Sequence, residues 1–122
     1  MEVTRHFSPE PAAVPAARHW AAARVQAWRA SPDAEEAVAS IVTELASNAV
    51  RHARTPFRVV LIKLRHSVRV EVHDESRESN GVMRPAPEAT AGRGLGMVDR
   101  LADSAGLEIT GFGKTVWAEV AD

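Results

Sequence analysis

The sequence contains no cysteine, no excess of charge of one sign and no long apolar run. The absence of cysteine excludes disulfides, a cysteine-ligated zinc site and a thiol nucleophile, and it suits a reducing compartment. The 15 basic and 16 acidic residues leave a formal net charge of -1, which disfavours a nucleic-acid or anionic-membrane partner. No segment approaches the roughly 18 apolar residues of a membrane helix, and the N-terminus has no signal-peptide pattern. We therefore expect a cytoplasmic protein that binds neither nucleic acid nor a membrane.

The length and composition are those of one globular domain. The chain has 122 residues, of which 45% are hydrophobic and 25% are charged. Domains cluster near about 100 to 150 residues, and this composition is that of an ordinary soluble protein. We predict a single domain over residues 1–122.

The first third of the chain predicts a strand, a helix and the start of a second helix. Residues 2–7 alternate as a short strand does, and an alanine-rich run at 16–28 has helical spacing. Ser31 and Pro32 are followed by acidic residues, which together form a strong signal for a helix start. The next helix is therefore predicted to begin there.

This second helix carries two distinct stripes. Apolar residues recur at three- and four-residue steps as far as about Arg54, so one face is predicted to pack on a sheet. Glu44, Asn48 and His52 are spaced four residues apart and share a stripe beside the apolar face. In isolation such a stripe is typical of a solvated helix face.

A carboxylate interrupts the apolar pattern of the following hairpin. Residues 57–65 and 68–73 are rich in β-branched and aliphatic residues and predict two antiparallel strands. In the second strand three valines point to one face, and Asp74 continues that face. A carboxylate in a core position is costly unless it is hydrogen-bonded, so Asp74 is a candidate binding residue.

The last third of the chain predicts a loop, a glycine-rich segment, a helix and two strands. Residues 75–91 are polar and too long for a hairpin connection, which favours a lid. Gly92, Gly94 and Gly96 then lead into a short helix, and strands are predicted at 107–110 and 115–120. Glycines before a helix allow the backbone to approach phosphate oxygens. All the elements together predict an α/β two-layer sandwich, with a mostly antiparallel sheet covered by helices on one face.

Four sequence blocks resemble the GHKL, or Bergerat-type, ATPase domain. They occur in the order of that family: ELASNAVRHA from Glu44, VEVHD ending at Asp74, GRGLGM from Gly92 and GKT ending at Thr115. The small size of the chain and the sequence around the last two blocks resemble those of the anti-sigma-factor serine kinases of bacteria, of the actinobacterial type. The resemblance implies a Bergerat ATP-binding fold with a lid at about 75–94, ATP and Mg2+ as cofactors, and a sigma factor and its antagonist protein as partners.

The resemblance also implies a role for each matching residue. Glu44 would be the general base, and Asn48 would bind Mg2+, for which one amide oxygen suffices when the nucleotide supplies other ligands. Asp74 would accept a hydrogen bond from the adenine amine, supported by Thr115. The segment Gly92 to Gly96, with Arg93 and Leu95 between the glycines, would wrap the phosphates.

Several points stay open from sequence alone. Arg93 and Lys114 could each reach the terminal phosphate or face solvent, and His52 has no assigned role. Relatives commonly have a glycine two positions after the adenine-binding aspartate, where this chain has Ser76. The function expected is phosphorylation of a serine on the antagonist coupled to sigma-factor sequestration. The alternative is a nucleotide-binding interaction module without significant turnover, and a homodimer is expected by family analogy alone.

Overall fold

The computed structural model of the protein describes residues 1–77 and 94–122. The strands are β1 (Glu2–Phe7), β2 (Phe57–Lys63), β3 (Ser67–Asp74), β4 (Ser104–Ile109) and β5 (Lys114–Ala121). The helices are α1 (Ala13–Ala27), α2 (Pro32–Asn48) and α3 (Gly94–Leu101), and a π-helical turn (Ala49–Ala53) extends α2. No helix in these ranges is both long and apolar enough to cross a membrane.

The strands form one five-stranded sheet in the order β1-β2-β3-β5-β4, in which every neighbouring pair is antiparallel. This arrangement confirms the predicted two-layer α/β fold. β4 begins three residues earlier than the sequence predicts, at Ser104. α1 begins at Ala13 and thus takes in Pro15, which the first turn of a helix tolerates because an N–H there has no intrahelical acceptor.

The core lies between one face of the sheet and the two long helices. Alternate residues of the central strands are buried against buried residues of α1 and α2. On the sheet this helix-facing row comprises Phe57, Val59, Leu61, Val68, Val70, Val72, Val116, Ala118 and Val120. An aromatic contact fixes α1 to the edge of the sheet, since Phe7 stacks on Phe57 at 5.3 Å and meets Trp20 edge-on at 6.5 Å.

The start of α2 is fixed by capping as the sequence predicts. The Ser31 hydroxyl accepts a hydrogen bond from the Ala34 N–H at 3.1 Å, and Pro32 occupies the first turn. The Ser31 N–H donates to Asp122 at 2.7 Å, so the cap also holds the end of the chain. That hydrogen bond lowers the pKa of the Asp122 carboxyl, although slight burial opposes it.

The end of α2 departs from the single helix that the sequence predicts as far as Arg54. The helix widens after Asn48, and the Arg54 N–H donates to the Ala49 carbonyl five residues earlier at 2.9 Å. Arg54 then adopts a left-handed backbone with φ of 57°, and the chain turns into β2. Because Phe57 pairs with Asp74 across the sheet, this turn brings the end of α2 to the end of β3.

Candidate functional site

Asn48 is a buried amide at the end of α2. Its side chain is 5% exposed, and its Nδ2 atom has no hydrogen-bond partner among the described residues. A buried donor without an acceptor costs about 1–3 kcal/mol. Glu44, one turn earlier, is half-buried, whereas His52 is exposed. The predicted stripe therefore runs from solvent at His52 into the interior at Asn48.

Asp74 ends β3 on the face of the sheet that the helices cover. It is 8% exposed and lies opposite Lys114 of β5, which is 2% exposed. The Lys114 ammonium donates to Oδ1 of Asp74 at 3.1 Å and lies 2.9 Å from Oδ2. The Ser76 N–H also donates to Oδ1, at 2.9 Å. The carboxylate expected from the valine alternation is thus buried, and its hydrogen bonds come from the protein.

The structure excludes one of the two interpretations of Lys114 that the sequence leaves open. Lys114 does not face solvent but forms a buried ion pair with Asp74. The reason is the alternation of β5, which places Lys114 in the same row as Val116, Ala118 and Val120. That alternation is visible in the sequence and could have identified Lys114 as a buried residue. Contact with a terminal phosphate stays a prediction.

Thr115 lies on the opposite, outer face of the sheet. Its hydroxyl is 2.8 Å from Nδ1 of His73, its register partner in β3. Successive residues of a strand point to opposite faces, so Thr115 and Asp74 are on different sides of the sheet. The Thr115 hydroxyl therefore contacts His73 and not Asp74 within the described residues, and its support of an adenine contact stays a prediction.

The outer face carries a network of charged side chains. Glu71 accepts a hydrogen bond from Arg69 at 2.7 Å and contacts His73 at 2.8 Å, while Arg69 also donates to Glu119 at 3.0 Å. Burial raises the pKa of Glu71, but the hydrogen bonds with Arg69 and His73 outweigh it and hold the pKa below its usual value. Arg69 further lies over the Trp117 ring, 4.3 Å from its centroid.

A cavity of about 660 Å³ opens at the end of the sheet, beside Asp74. Much of its lining is one row across the outer face, formed by His6, Arg58, His73 and Thr115 in consecutive register. Neither Glu44 nor Asn48 lines this cavity within the described residues. This cavity is therefore lined by Asp74 but not by Asn48.

Gly113 brings the turn before β5 against the end of β3. Its φ is +154°, and a Cβ there would clash with the Asp74 carbonyl oxygen and come within 2.8 Å of the Glu75 Cα. The GKT block makes Gly113 visible in the sequence, but only the fold shows what the glycine is for. It allows the backbone contact that sets Lys114 opposite Asp74.

The glycine-rich segment is described only in part. Gly92 and Arg93 lie outside the described residues, as does most of the predicted lid. Gly94, Leu95 and Gly96 form the beginning of α3, which packs against α2. The described end of this segment therefore adjoins the helix that carries Glu44 and Asn48.

The comparisons with known proteins agree with this fold. The family of histidine kinase-like ATPase domains matches residues 7–120. Of 16 matching chains of known structure, one contains the RsbU and RsbW domains of Rv1364c from Mycobacterium tuberculosis. Its TM-score is 0.76 at 15% identity, and the match covers 98% of this chain but 31% of that one. No curated protein sequence matches the chain.

Proposed function

Because this chain belongs to the histidine kinase-like ATPase domain family, which implies ATP binding, we propose that it is an ATP-dependent protein-serine kinase of the anti-sigma-factor type. It phosphorylates a serine on an antagonist protein and sequesters a sigma factor. The similarity in fold to a chain with an RsbW domain supports this branch of the family. A cytoplasmic location and a homodimer belong to the same proposal.

The buried amide of Asn48 is the observation that carries this proposal. Its Nδ2 donor has no acceptor among the described residues, and a phosphate oxygen would supply one. Its amide oxygen is a hard ligand of the kind that Mg2+ takes in combination with nucleotide phosphates. The residue type thus fits a metal-nucleotide complex. When bound, Mg2+ would neutralise charge on the transferred phosphoryl group.

Glu44 acts as the general base in this proposal. It is half-buried on the same stripe of α2, one turn before Asn48. A carboxylate next to the phosphate ligands is suited to accept the proton of an attacking serine hydroxyl. Most of the catalytic effect then comes from positioning and charge neutralisation, as in other phosphoryl transfers.

Asp74 accepts the adenine amine, and the segment Gly92 to Gly96, with Arg93 and Leu95, wraps the phosphates. A buried carboxylate at the end of β3, a strand that packs against α2, supports the first role. The start of α3 at Gly94 beside α2 supports the second. The Thr115 hydroxyl is in hydrogen-bond contact with His73, so Thr115 would support the adenine contact only indirectly, through the position of strand β5.

Two measurements, made one after the other, test the proposal. Calorimetric titration with ATP and Mg2+ should give saturable binding that depends on the metal. Incubation with γ-labelled ATP and a serine-bearing antagonist should then label the antagonist, while the same antagonist with that serine replaced by alanine stays unlabelled. Absence of nucleotide binding would remove the whole proposal.

A nucleotide-binding interaction module without significant turnover is the second candidate. The specific observation in its favour is that Asp74 already holds the Lys114 ammonium and is followed by Glu75 and Ser76 rather than by an early glycine. ATP binding without transfer of label to any serine would favour the module over the kinase. Retention of Glu44 favours the kinase.

A further inference from the structure

Lys114 is a buried cation at the end of the sheet where the proposed adenine contact lies. Among the described residues, the buried charged side chains are Asp74 and Lys114, and they pair with each other. A buried ion pair is weak evidence for stability, because desolvation of both charges offsets much of their attraction. Because stability does not account for this buried ion pair, we consider a role in ligand binding.

Within the described residues, neither partner of this ion pair uses its full hydrogen-bonding capacity. The Lys114 ammonium has three N–H donors, but within the described residues its acceptors are the two oxygens of Asp74. Oδ1 of Asp74 accepts hydrogen bonds from the Lys114 ammonium and the Ser76 N–H, whereas in the part of the chain that the structure describes Oδ2 is contacted by Lys114 alone. The pair can thus present one acceptor on Asp74 and one donor on Lys114, side by side.

This arrangement is complementary to one edge of adenine. Adenine presents the N6 amine as a donor and the neighbouring N1 as an acceptor. Guanine presents O6 as an acceptor and N1–H as a donor, which is the reverse order. A carboxylate facing O6 and an ammonium facing N1–H would both be unfavourable, so the same pair that accepts adenine rejects guanine.

We propose that Lys114 is a specificity-determining residue, donating to adenine N1 while Asp74 accepts from adenine N6. This inference rests on the proposed function, since it concerns the base of the nucleotide bound there. It assigns to a lysine side chain a contact that the carboxylate alone cannot make, because N1 needs a donor. Lys114 therefore contributes to affinity for adenine rather than merely holding Asp74 in place.

The test compares nucleotides that differ at single ring positions, by calorimetry on the wild-type protein. The probes are ATP, 1-deaza-ATP, which has C–H in place of N1, and 7-deaza-ATP as a matched control. Loss of a hydrogen bond from a charged donor is expected to weaken binding by at least about 10-fold. We expect 1-deaza-ATP to bind at least about 10-fold more weakly than ATP, and 7-deaza-ATP to bind as ATP does.

Variants then assign the effect to Lys114. Lys114→Met should remove the preference for ATP over 1-deaza-ATP, and Lys114→Arg should retain most of it, because arginine keeps a donor. Lys63→Met is the matched control. Lys63 forms an ion pair with Asp122, with 3.2 Å between Nζ and Oδ2, and this pair does not include Asp74 or Lys114. Lys63→Met should leave the preference unchanged. A purely structural role for Lys114 would weaken both nucleotides equally in Lys114→Met.

The outcomes separate this inference from the function on which it rests. Equal affinity of the wild type for ATP and 1-deaza-ATP would overturn the role of Lys114 and leave ATP binding intact. Tighter ATP binding by Lys114→Met would also overturn it, by showing that the ammonium blocks Asp74. No binding of ATP by the wild type would overturn both. The wild-type comparison stands even if Lys114→Met fails to fold.

Discussion

Replacing Asn48 with alanine should separate stability from nucleotide binding in this protein. Asn48 is buried at the end of α2 with an unpaired Nδ2 donor among the described residues. If that donor is kept for a ligand, the protein without nucleotide bears its desolvation cost. Asn48→Ala should then lose ATP binding without losing stability.

The expected change in the free energy of unfolding can be worked out from three contributions. Removing an unsatisfied buried donor gains about 1–3 kcal/mol. Alanine adds up to about 0.7 kcal/mol of helix propensity. Lost packing of a small buried side chain costs about 1 kcal/mol. The nucleotide-free variant should therefore be as stable as the wild type, or more stable by up to about 3 kcal/mol.

The assay combines unfolding in urea with thermal melting in the presence and absence of ATP and Mg2+. The wild type should melt at a higher temperature with nucleotide, because a ligand that binds only the folded state stabilises it. Asn48→Ala should show no such shift. Ser47→Ala is the matched control, being the adjacent half-buried residue of the same helix, and it should keep the shift.

Two results would refute the reasoning. A loss of more than about 1 kcal/mol in nucleotide-free Asn48→Ala would mean that the amide is satisfied and stabilising in the folded protein. An unchanged ATP-induced shift in this variant would remove Asn48 from the site, whatever its stability.

Three further predictions concern other residues. Glu44→Gln should bind ATP with nearly wild-type affinity but transfer phosphate at least about 100-fold more slowly, since the amide cannot accept the proton; equal rates would exclude a base. Gly113→Ala should lower the unfolding free energy by about 2 kcal/mol or more, measured in urea, because of its φ and the clash with β3; Gly111→Ala, with open space around it, is the control. The lowered pKa of Glu71 means that its stabilising effect is complete above its usual value of 4.5 and is lost as pH falls through the lower folded value. Glu71→Gln should therefore cost about 1 kcal/mol at pH 7, and its unfolding free energy should depend less on acid pH than that of the wild type; parallel profiles would contradict this.

The proposed site combines residues that are far apart in the chain. Asn48 comes from a helix, Asp74 from a central strand and Lys114 from the strand next to it. The turn after α2 and the register of β2 with β3 bring the first two to one end of the fold. Changes in that turn are thus expected to affect nucleotide binding even where no residue contacts the nucleotide.

Local sequence patterns determined most of the elements and the core position of Asp74. Strand alternation identified Asp74 as a carboxylate in a core row, because side chains of a strand point to opposite faces in turn. Ser31 and Pro32 fixed the start of α2 through a hydrogen bond within three residues. Helical spacing placed Asn48 on the edge of the apolar face. Each of these features depends on neighbours within about one turn or one strand.

The tertiary structure alone decided which distant residues meet. The pairing of Asp74 with Lys114 spans 40 residues and depends on the register of β3 with β5. That register is set by the close approach at Gly113 and by packing of the valine rows against α2, neither of which a local pattern contains. The Nδ2 donor of Asn48, which has no acceptor within ranges 1–77 and 94–122, likewise follows from what surrounds it in space. The local sequence specifies on which face of a helix or strand a side chain lies. The contact partners of that side chain depend on how the helices and strands pack together.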